Sequence, residues 1–473
     1  MVLATKHILS SLSEFIAGAQ APDGARQRAA AAVCDTTGVI LAGVVEPAAR
    51  IVRGAIDSHG ACHLLGTSRQ AGAADAALAN GVAAHALDYD DMCFVSMAHP
   101  SCALVPAVLA AAESSDAPGR IVLDGYVAGF ELECRLGSIM NPQHYHTRGW
   151  HCTSSIGTVG AAAAAARVLG LSHEHIAHAL GIAASLACGL KENIGTMTKP
   201  LHAGTAARNG VTAALLARSG FTASEDALTG PQGYLAAMDS GGSPADFARA
   251  AADLGSRWEI NDTGISVKLY PSCAATHPPL DVLLDLVRRH NIKADDIDAI
   301  DVEVDTMTPR LLIYDRPRTG LEAKFSMPFC AAAAVVFGHP TVDTFDEAHI
   351  REARVQALLP RVSLRGNPAF DAAAPLSQST VTIRLRDGRT LSAHADGARG
   401  YPSRLTDAEL GTKFLACAHR SLPAAQAERA LAAVRDLDAA ESVHALVAAC
   451  RGPERLESHP HHDSHNQSRE EIR

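Results

Sequence analysis

The sequence predicts a mainly α-helical protein, with a large all-helical domain and a smaller α+β lid domain inserted before the C-terminal helices. Three observations predict this fold. Alanine-rich segments repeat apolar residues every three or four positions up to about residue 258. Alternating, β-branched segments are concentrated between residues 268 and 400. The alanine-rich helical pattern then returns and continues to about residue 450.

The helical periodicity predicts the N-terminal elements in order. The predicted helices cover residues 8–16, 26–41, 46–58, 71–87, 101–113, 120–137, 153–169, 172–190 and 201–219. Several of them end in glycine or a polar loop, as helices commonly do. We assign residues 1–267 together with 401–450 to the all-helical domain, because a chain of 473 residues is long enough for more than one core.

The lid domain is predicted over residues 268–400. It contains a helix at 278–290, a strand at 300–304 and a strand pair at 379–385 and 390–395. The connection between the paired strands contains Asp387-Gly388, a strong hairpin signal. Two helices, 406–418 and 424–448, are expected to pack back onto the helical domain. The polar tail, 451–473, is predicted to be disordered.

Composition excludes several classes of partner. The net charge is −10 and no basic cluster interrupts it, so a nucleic acid partner is not expected. No apolar run reaches the length of a membrane span, so we expect no membrane association. The 11 cysteines are scattered without a CxxC pair, which indicates reduced thiols in a cytoplasmic protein. The first 18 residues are interpreted as an amphipathic helix and not as a signal peptide.

The stretch from residue 85 to residue 106 is the most site-like part of the chain. Asp88, Asp90, Asp91 and His99 stand together between two apolar helices, where charged groups contribute little to a core. His99 lies just before the second helix, whose N-terminus favours a bound anion. The alternative is that the aspartates cap helix ends and His99 is an ordinary loop histidine.

Two further segments have the same design, in which a polar loop leads to a helix N-terminus. His151 precedes residues that can cap the next helix. Lys199 precedes Pro200, a residue suited to the first turn, and His202 and Arg208 follow on the same helix. His202 and Arg208 fit a substrate-binding role and a helix-surface role equally well.

A third segment carries Lys268 and Tyr270 on an extended run, and His277 before Pro278. Tyr270, like the two helix residues, could instead support the site from behind. A cation, a histidine and a helix N-terminus together suit a ligand that carries a carboxylate. We therefore expect a small anionic carboxylate as the substrate.

Other mechanisms lack their motifs. The chain has no GxGxxG after a strand, no GxxxxGK[ST], no HExxH and no GxSxG, so we expect neither a nucleotide cofactor nor a zinc site. No metal is expected at the DYDD run, which lacks the rest of a calcium loop, although a divalent ion there remains an alternative. Acid–base chemistry remains, with histidine as the base and Lys199 and Lys268 stabilising enolate-like charge.

The same segments resemble the MmgE/PrpD family, in the same order. The resemblance is carried by HALDYDD, HPSCALVPAVLAAAE, GWHCTSSIGTVGAAAAAARVLGL, GTMTKPLHAGTAARNGVTAALLA and KLYPSCAATHPPLD, and it runs from about residue 10 to residue 450. That family includes 2-methylcitrate dehydratase, cis-aconitate decarboxylase and iminodisuccinate epimerase. Its members are typically homodimers with a large helical domain and a smaller α+β lid, which the resemblance implies here.

The resemblance also implies an active site in which histidines donate and accept protons and lysines hold carboxylates. The residues concerned are Asp88, His99, His151, Lys199, Lys268 and His277. The complete prediction has His99, His151, Lys199, Lys268 and Asp88 as catalytic residues, and His277, Tyr270, Arg208 and His202 as substrate-binding residues. Met92 stands where a small hydroxyl residue is common in relatives, and Phe329 where many have tyrosine. Losing two hydroxyls would alter hydrogen bonding to a substrate.

The sequence thus predicts a cofactor-independent enzyme that transfers a proton at the carbon beside a carboxylate of a small di- or tricarboxylate. Elimination or decarboxylation would follow, with the substrate between the helical domain and the lid. An epimerase acting on an amino-dicarboxylate such as iminodisuccinate is an alternative. A non-catalytic ligand-binding protein is a second alternative, because a fold does not by itself establish a function.

Overall fold

Helices that surround one large apolar core make up the N-terminal half of the protein. The structure, a computed structural model, describes residues 2–238, 241–373 and 377–453. In chain order the helices are α1 (Val2–Gly18), α2 (Asp23–Gly43), α3 (Pro47–Ala55), α4 (Ala73–His85), α5 (Ser101–Ser115), α6 (Gly119–Met140), α7 (Cys152–Val168), α8 (His173–Leu186), α9 (Thr198–Arg218), α10 (Tyr234–Ala237), α11 (Pro244–Ala251) and α12 (Glu259–Asp262). A short antiparallel pair, β1 (Cys62–His63) and β2 (Gln70–Ala71), precedes α4.

A four-stranded sheet with its own apolar core follows. The strands are β3 (Ile297–Val304), β4 (Val362–Gly366), β5 (Ser379–Leu385) and β6 (Thr390–Ala395), in the order β4-β3-β5-β6. β3 and β4 are parallel, and the other neighbours are antiparallel. The helices of this part are α13 (His277–His290), α14 (Gly320–Ala323), α15 (Met327–Phe337), α16 (Glu347–Ile350) and α17 (Ala353–Leu358). α13 and α15 pack against the sheet.

The C-terminal helices return to the first core. They are α18 (Asp407–Ala418), α19 (Ala424–Arg435) and α20 (His444–Ala449), and both α18 and α19 pack on α2. Leu410 and Phe414 of α18 are buried in the helical core, whereas residues 269 to 385 supply the core around the sheet. The boundaries predicted at 267/268 and 400/401 remain predictions, and they fall between the residues of these two cores.

Small residues allow the helices that carry the site to approach closely. At the crossing of α4 and α9, a Cβ atom added to Gly204 would lie 2.5 Å from the Leu78 carbonyl oxygen. Gly81 meets Gly204 from the other side, where its own Cβ would lie 2.7 Å from the Gly204 Cα. Because interiors are close-packed, neither position can hold a side chain without a shift of the backbone. This contact brings the end of α4 next to the start of α9.

The mainly α-helical fold class is confirmed, and the Asp-Gly hairpin joins β5 to β6, with Gly388 at a φ of +90°. The single helix predicted over 424–448 is wrong: α19 ends at Arg435, and the chain passes through a short turn before α20. Strand β4 was not predicted, because most of its five residues are partly or fully exposed and their pattern is weak. From residue 454 onward, the predicted disordered tail lies outside the described residues.

The described helices were also compared with the requirements of a membrane span. No single one is long and apolar enough to cross a membrane. α2 and α3, taken together, reach the necessary length and composition, but the pair is bent by 85°.

Candidate active site

A cavity of about 1160 Å³ lies where the helical core meets the part of the chain that carries the sheet. Its walls come from the loop after α4, from the segments before α7 and α9, and from the chain on either side of α13. The five side chains predicted to be catalytic all line it: Asp88, His99, His151, Lys199 and Lys268. The fold therefore brings together groups as distant in sequence as Asp88 and Lys268.

The Asp88 carboxylate orients two lysines in this cavity. Asp88 follows α4 in the left-handed conformation, with a φ of +52°, which aspartate adopts more readily than bulky residues. Lys199, in the first turn of α9, donates to Oδ1. Lys268 Nζ lies 3.1 Å from Oδ2 and donates to the Asp88 carbonyl at 2.9 Å. Burial opposes ionisation of Asp88, but the two ammonium groups hold its pKa well below its ordinary range.

Asp90 faces two histidines, His85 and His99. Asp90 belongs to the stretch that the sequence indicates as most site-like, but it was given no role in the site, and His85 was not singled out. Asp90 Oδ2 lies 2.7 Å from His85 Nδ1 and 3.4 Å from His99 Nδ1. His99 Nδ1 also lies 2.8 Å from the Asp91 carbonyl oxygen, which can only accept a hydrogen bond. The proton of neutral His99 is therefore on Nδ1, and Nε2 is free to accept another. Burial lowers the pKa of His99 well below its ordinary value, although Asp90 opposes this shift.

A second pair of histidines adjoins the first. His151 stands immediately before α7, and its Nδ1 lies 3.1 Å from Nδ1 of His202 on α9. The His151 ring stacks on that of His85 with centroids 5.9 Å apart. Burial, followed by the nearby His85 and Lys199, lowers the pKa of His151 well below its ordinary value. Burial likewise lowers the pKa of His202 to about 4. Both rings are neutral at neutral pH, and His151, which lines the cavity, can accept a proton from a substrate.

Lys324 supports the site from behind and was also missed in the sequence. Its Nζ donates to the Leu87 carbonyl and, at 3.0 Å, to the Pro271 carbonyl. It thereby ties the turn that carries Asp88 to the segment that carries Lys268. Burial lowers the pKa of Lys324 to about 8, although Asp88 opposes the shift. The only signal in the sequence was its place in the KFSMPF segment, just before the proline of α15.

All four residues predicted to bind substrate lie outside the cavity lining, so their role in binding stays a prediction. The Tyr270 hydroxyl donates to Asp281 at 2.6 Å, and the His277 ring packs against the Tyr270 ring at 5.0 Å. Both residues are buried. Arg208 is half exposed on α9, where it lies 3.6 Å from Asp75. His202 also misses the lining but contacts His151, so it can act only through that ring.

The two departures from the family pattern have different positions. Met92 lines the cavity, and its backbone pairs with Ser266, two residues before Lys268. Phe329 is fully buried in the core around the sheet and packs against Phe345 at 5.7 Å. Only Met92 can therefore touch a ligand directly.

Four residues could together hold a metal ion. His85, Asp88, Asp90 and His99 each offer a ligand atom within 4.8 Å of the others. The ammonium groups against Asp88 would oppose a cation at that place. Asp91 does not join this group, because it accepts hydrogen bonds from the Ser101 hydroxyl and, at 3.3 Å, from the Ser101 N–H at the start of α5. Asp91 thus fits the helix-capping alternative for that residue.

Comparisons with known proteins agree with this architecture. The MmgE/PrpD N-terminal domain model matches residues 10–246, and the C-terminal domain model matches residues 270–439. A cis-aconitate decarboxylase from Homo sapiens is 30% identical over 387 residues, which cover 80% of this chain and 79% of that protein. A cis-aconitate decarboxylase-like protein, oryM, from Aspergillus oryzae is 27% identical over 457 residues, covering 91% and 94%. A cis-aconitate decarboxylase from Aspergillus terreus is 27% identical over 376 residues, covering 75% and 76%.

Proposed function

Because the chain belongs to the MmgE/PrpD family and is therefore an enzyme of the lyase type, we propose that it transfers a proton at the carbon beside a carboxylate of a small di- or tricarboxylate. Decarboxylation or elimination follows the transfer. The aconitate-type acids named for its relatives are the first candidates for its substrate. The homodimer implied by the family resemblance is part of the same proposal.

One observation carries the proposal: two lysine ammonium groups and two neutral histidines face the same cavity. Lys199 and Lys268 meet at Asp88, while His99 and His151 lie beside them. The lysines supply fixed positive charge for substrate carboxylates and for the charge that develops when a neighbouring carbon loses its proton. The histidines supply groups that exchange protons. A purely structural role would not require such expensive burial of charge on a cavity wall.

In this proposal His99 is the first base. Its Nε2 accepts the proton because Nδ1 is held by the Asp91 carbonyl and by Asp90. The electron pair left on the substrate carbon is delocalised into the adjacent carboxylate, which the lysines stabilise. In elimination, the hydroxyl group on the neighbouring carbon takes a proton from a protonated histidine and leaves as water. In decarboxylation, the abstracted proton is returned at a neighbouring carbon, so that a double bond shifts. The bond to a carboxylate then breaks, carbon dioxide leaves, and the electron pair of that bond takes a second proton from a histidine.

His151 fits the role of the second proton carrier. Its ring lies beside His85 and contacts His202, so a proton on it can be shared with a neighbour. The two histidines that line the cavity are thus supported differently, His99 by carboxylate and carbonyl oxygens and His151 by another imidazole. This asymmetry suits one base and one acid, since environments that differ separate the pKa values of like groups.

Proton NMR in D₂O tests the proposal directly. The purified protein is incubated with citrate-, aconitate-, succinate- and aspartate-type acids, and each acid is also incubated without protein. Deuterium beside a carboxylate is the expected result, and vinyl signals, released carbon dioxide or inverted configuration then identify the product. Inversion without loss of a group would favour the epimerase alternative. No labelling of any acid, combined with tight binding in a thermal-shift assay, would favour the ligand-binding alternative.

A further inference from the structure

The cavity is much larger than a simple tricarboxylate needs. A six-carbon tricarboxylate has roughly 12 non-hydrogen atoms, which together occupy less than roughly 360 Å³ even at the volume that a water molecule takes in the liquid. The cavity volume is about 1160 Å³. The charged groups that meet at Asp88 account for one part of its wall. The other residues of the lining indicate what kind of ligand group fits the remaining space.

A short rigid loop forms an apolar wall next to the charged groups. Met92, Phe94 and Met97 all line the cavity from this loop. The loop is closed by the Cys93 N–H, which donates to the Ala98 carbonyl at 3.0 Å. Met97 has a φ of +50°, a conformation that is costly for a bulky residue and is found where the surroundings enforce it. The loop is thus held in a conformation that keeps thioether and aromatic side chains at the cavity.

This wall continues directly from the charged end of the cavity. Met92 exchanges backbone hydrogen bonds of 2.9 and 2.8 Å with Ser266, which fixes it near Lys268. His99 comes directly after Ala98, the residue that closes the loop. Phe94 packs edge-on against Tyr401 at 5.3 Å, so the apolar surface extends onto a residue from beyond the sheet. A ligand bound at Lys268 therefore reaches apolar surface within a few bonds.

Apolar residues from the other side of the cavity are left open to solvent. Ile313 is 63% exposed, Leu190 is 55% exposed and Met307 is 37% exposed, and each lines the cavity. The nearby carboxylates of Asp305 and Asp371 already accept hydrogen bonds from backbone N–H and hydroxyl groups of residues 306–308. Covering this exposed apolar surface with an apolar ligand group would be favourable.

Deepening the proposed function, on which this inference rests, we propose that the substrate is a di- or tricarboxylate that carries an alkyl arm of several carbons. Its carboxylates lie at Lys199 and Lys268. The arm lies between the loop of Met92 and Met97 and the exposed Ile313. Met92 stands where the family resemblance implies a small hydroxyl residue, and it is then a specificity residue that favours the arm over a polar substituent.

A substrate series tests this inference. Aconitates carrying hydrogen, methyl, propyl or hexyl groups are compared by kcat/KM, together with one whose arm ends in a carboxylate. Each buried methylene is expected to raise kcat/KM about twofold to fourfold. A value that is flat or falls with arm length overturns the inference. So does a preference for the carboxylate-ended arm, for which Lys191 and Arg310 in the lining would be responsible.

Matched variants locate the arm. Ile313→Ser should lower the ratio of kcat/KM for the hexyl acid to that for the unsubstituted acid about tenfold. Ile51→Ser is the control, because Ile51 is also 63% exposed but lies on α3 outside the cavity, and it should leave the ratio unchanged. Met92→Thr should lower the ratio as well. Equal ratios in all variants overturn the inference.

The two proposals fail differently in these experiments. If no acid in the series exchanges hydrogen for deuterium beside a carboxylate, the proposed function itself fails. If the unsubstituted acid exchanges and is turned over best, the proposed function stands and the alkyl-arm inference alone is overturned.

Discussion

Replacing Lys199 with methionine removes one charge from the proposed site and changes little else. Lys199 is buried, and methionine can occupy the space of most of its stem. Asp88 keeps Lys268 at 3.1 Å, so its carboxylate is not left without a cation. The variant therefore removes the ammonium group of Lys199 and leaves that of Lys268 in place.

The expected loss of activity follows from Coulomb's law. Two unit charges about 4 Å apart interact by about 4 kcal/mol at an effective dielectric constant of about 20. If Lys199 holds a substrate carboxylate or the developing charge at that range, kcat/KM should fall by about a thousandfold. The cost in stability should be smaller than the roughly 3–5 kcal/mol that follows when a buried charge loses its only partner. We expect about 1–2 kcal/mol, because Lys268 remains.

The assay is the rate of deuterium incorporation beside the carboxylate, with unfolding by denaturant measured in parallel. Arg135→Met is the control, because Arg135 is equally buried but lies outside the cavity lining. It has Asp253 at 3.1 Å and Glu259 at 3.3 Å as partners. We expect this control to lose more stability than Lys199→Met and to keep the kcat/KM of the folded protein.

The opposite pattern would refute the reasoning. If Lys199→Met keeps kcat/KM within a few-fold of the parent protein and mainly lowers stability, Lys199 serves only to neutralise Asp88. The ammonium group that binds substrate would then have to be Lys268 alone.

Three further predictions concern other parts of the structure. Burial, followed by Lys268, lowers the pKa of His277 from 6.5 to about 3, so the unfolded chain takes up a proton below pH 6.5 that the folded chain refuses. His277 alone should therefore contribute about 1 kcal/mol per pH unit to the loss of stability between pH 6 and pH 4, so denaturant titrations of His277→Gln should show a slope smaller by about that amount. Gly204→Ala should cost about 1–3 kcal/mol because its Cβ would meet α4, whereas Gly54→Ala, with nothing within 4 Å, should raise the melting temperature slightly. In His85→Leu, His99 is the histidine that remains beside Asp90, and its pKa should rise. The acid limb of the pH profile of kcat/KM should therefore move to higher pH. An unmoved limb would make His85 purely structural.

The residues of the cavity wall were predictable where a titratable side chain stands beside a helix start. His99, His151 and Lys199 each precede or open a helix, and a polar residue at that place is visible in the sequence. The helical periodicity also gives the order of the helices and the insertion of the sheet. These signals depend on residues that are close in the sequence, so they can be recognised without knowing the tertiary contacts.

The pairing of His85 with Asp90 was not predictable in the same way. His85 is the last residue of an alanine-rich helix, where a histidine is indistinguishable from one that is simply packed. Only the left-handed turn at Asp88 brings Asp90 back to His85. A histidine five residues before an aspartate, across a helix end, was the one available signal, and spacing alone does not specify a turn.

Tyr270 shows what the sequence could not decide. It was predicted to bind substrate, with support of the site from behind as the alternative. The chain bends after residue 268 and forms no strand there, and Tyr270 turns to Asp281 instead. Direction in an irregular segment depends on tertiary contacts, which the sequence of that segment does not contain.

The charges of the site indicate how a bound substrate changes the pKa values of its histidines. Three buried ammonium groups, those of Lys199, Lys268 and Lys324, accompany two carboxylates with lowered pKa values, those of Asp88 and Asp90. These five groups together carry a net positive charge, which helps to keep the histidines neutral. A bound carboxylate offsets that charge and raises the histidine pKa values. The substrate therefore strengthens its own base, and the acid limb of kcat, which reports the bound complex, should lie at higher pH than that of kcat/KM.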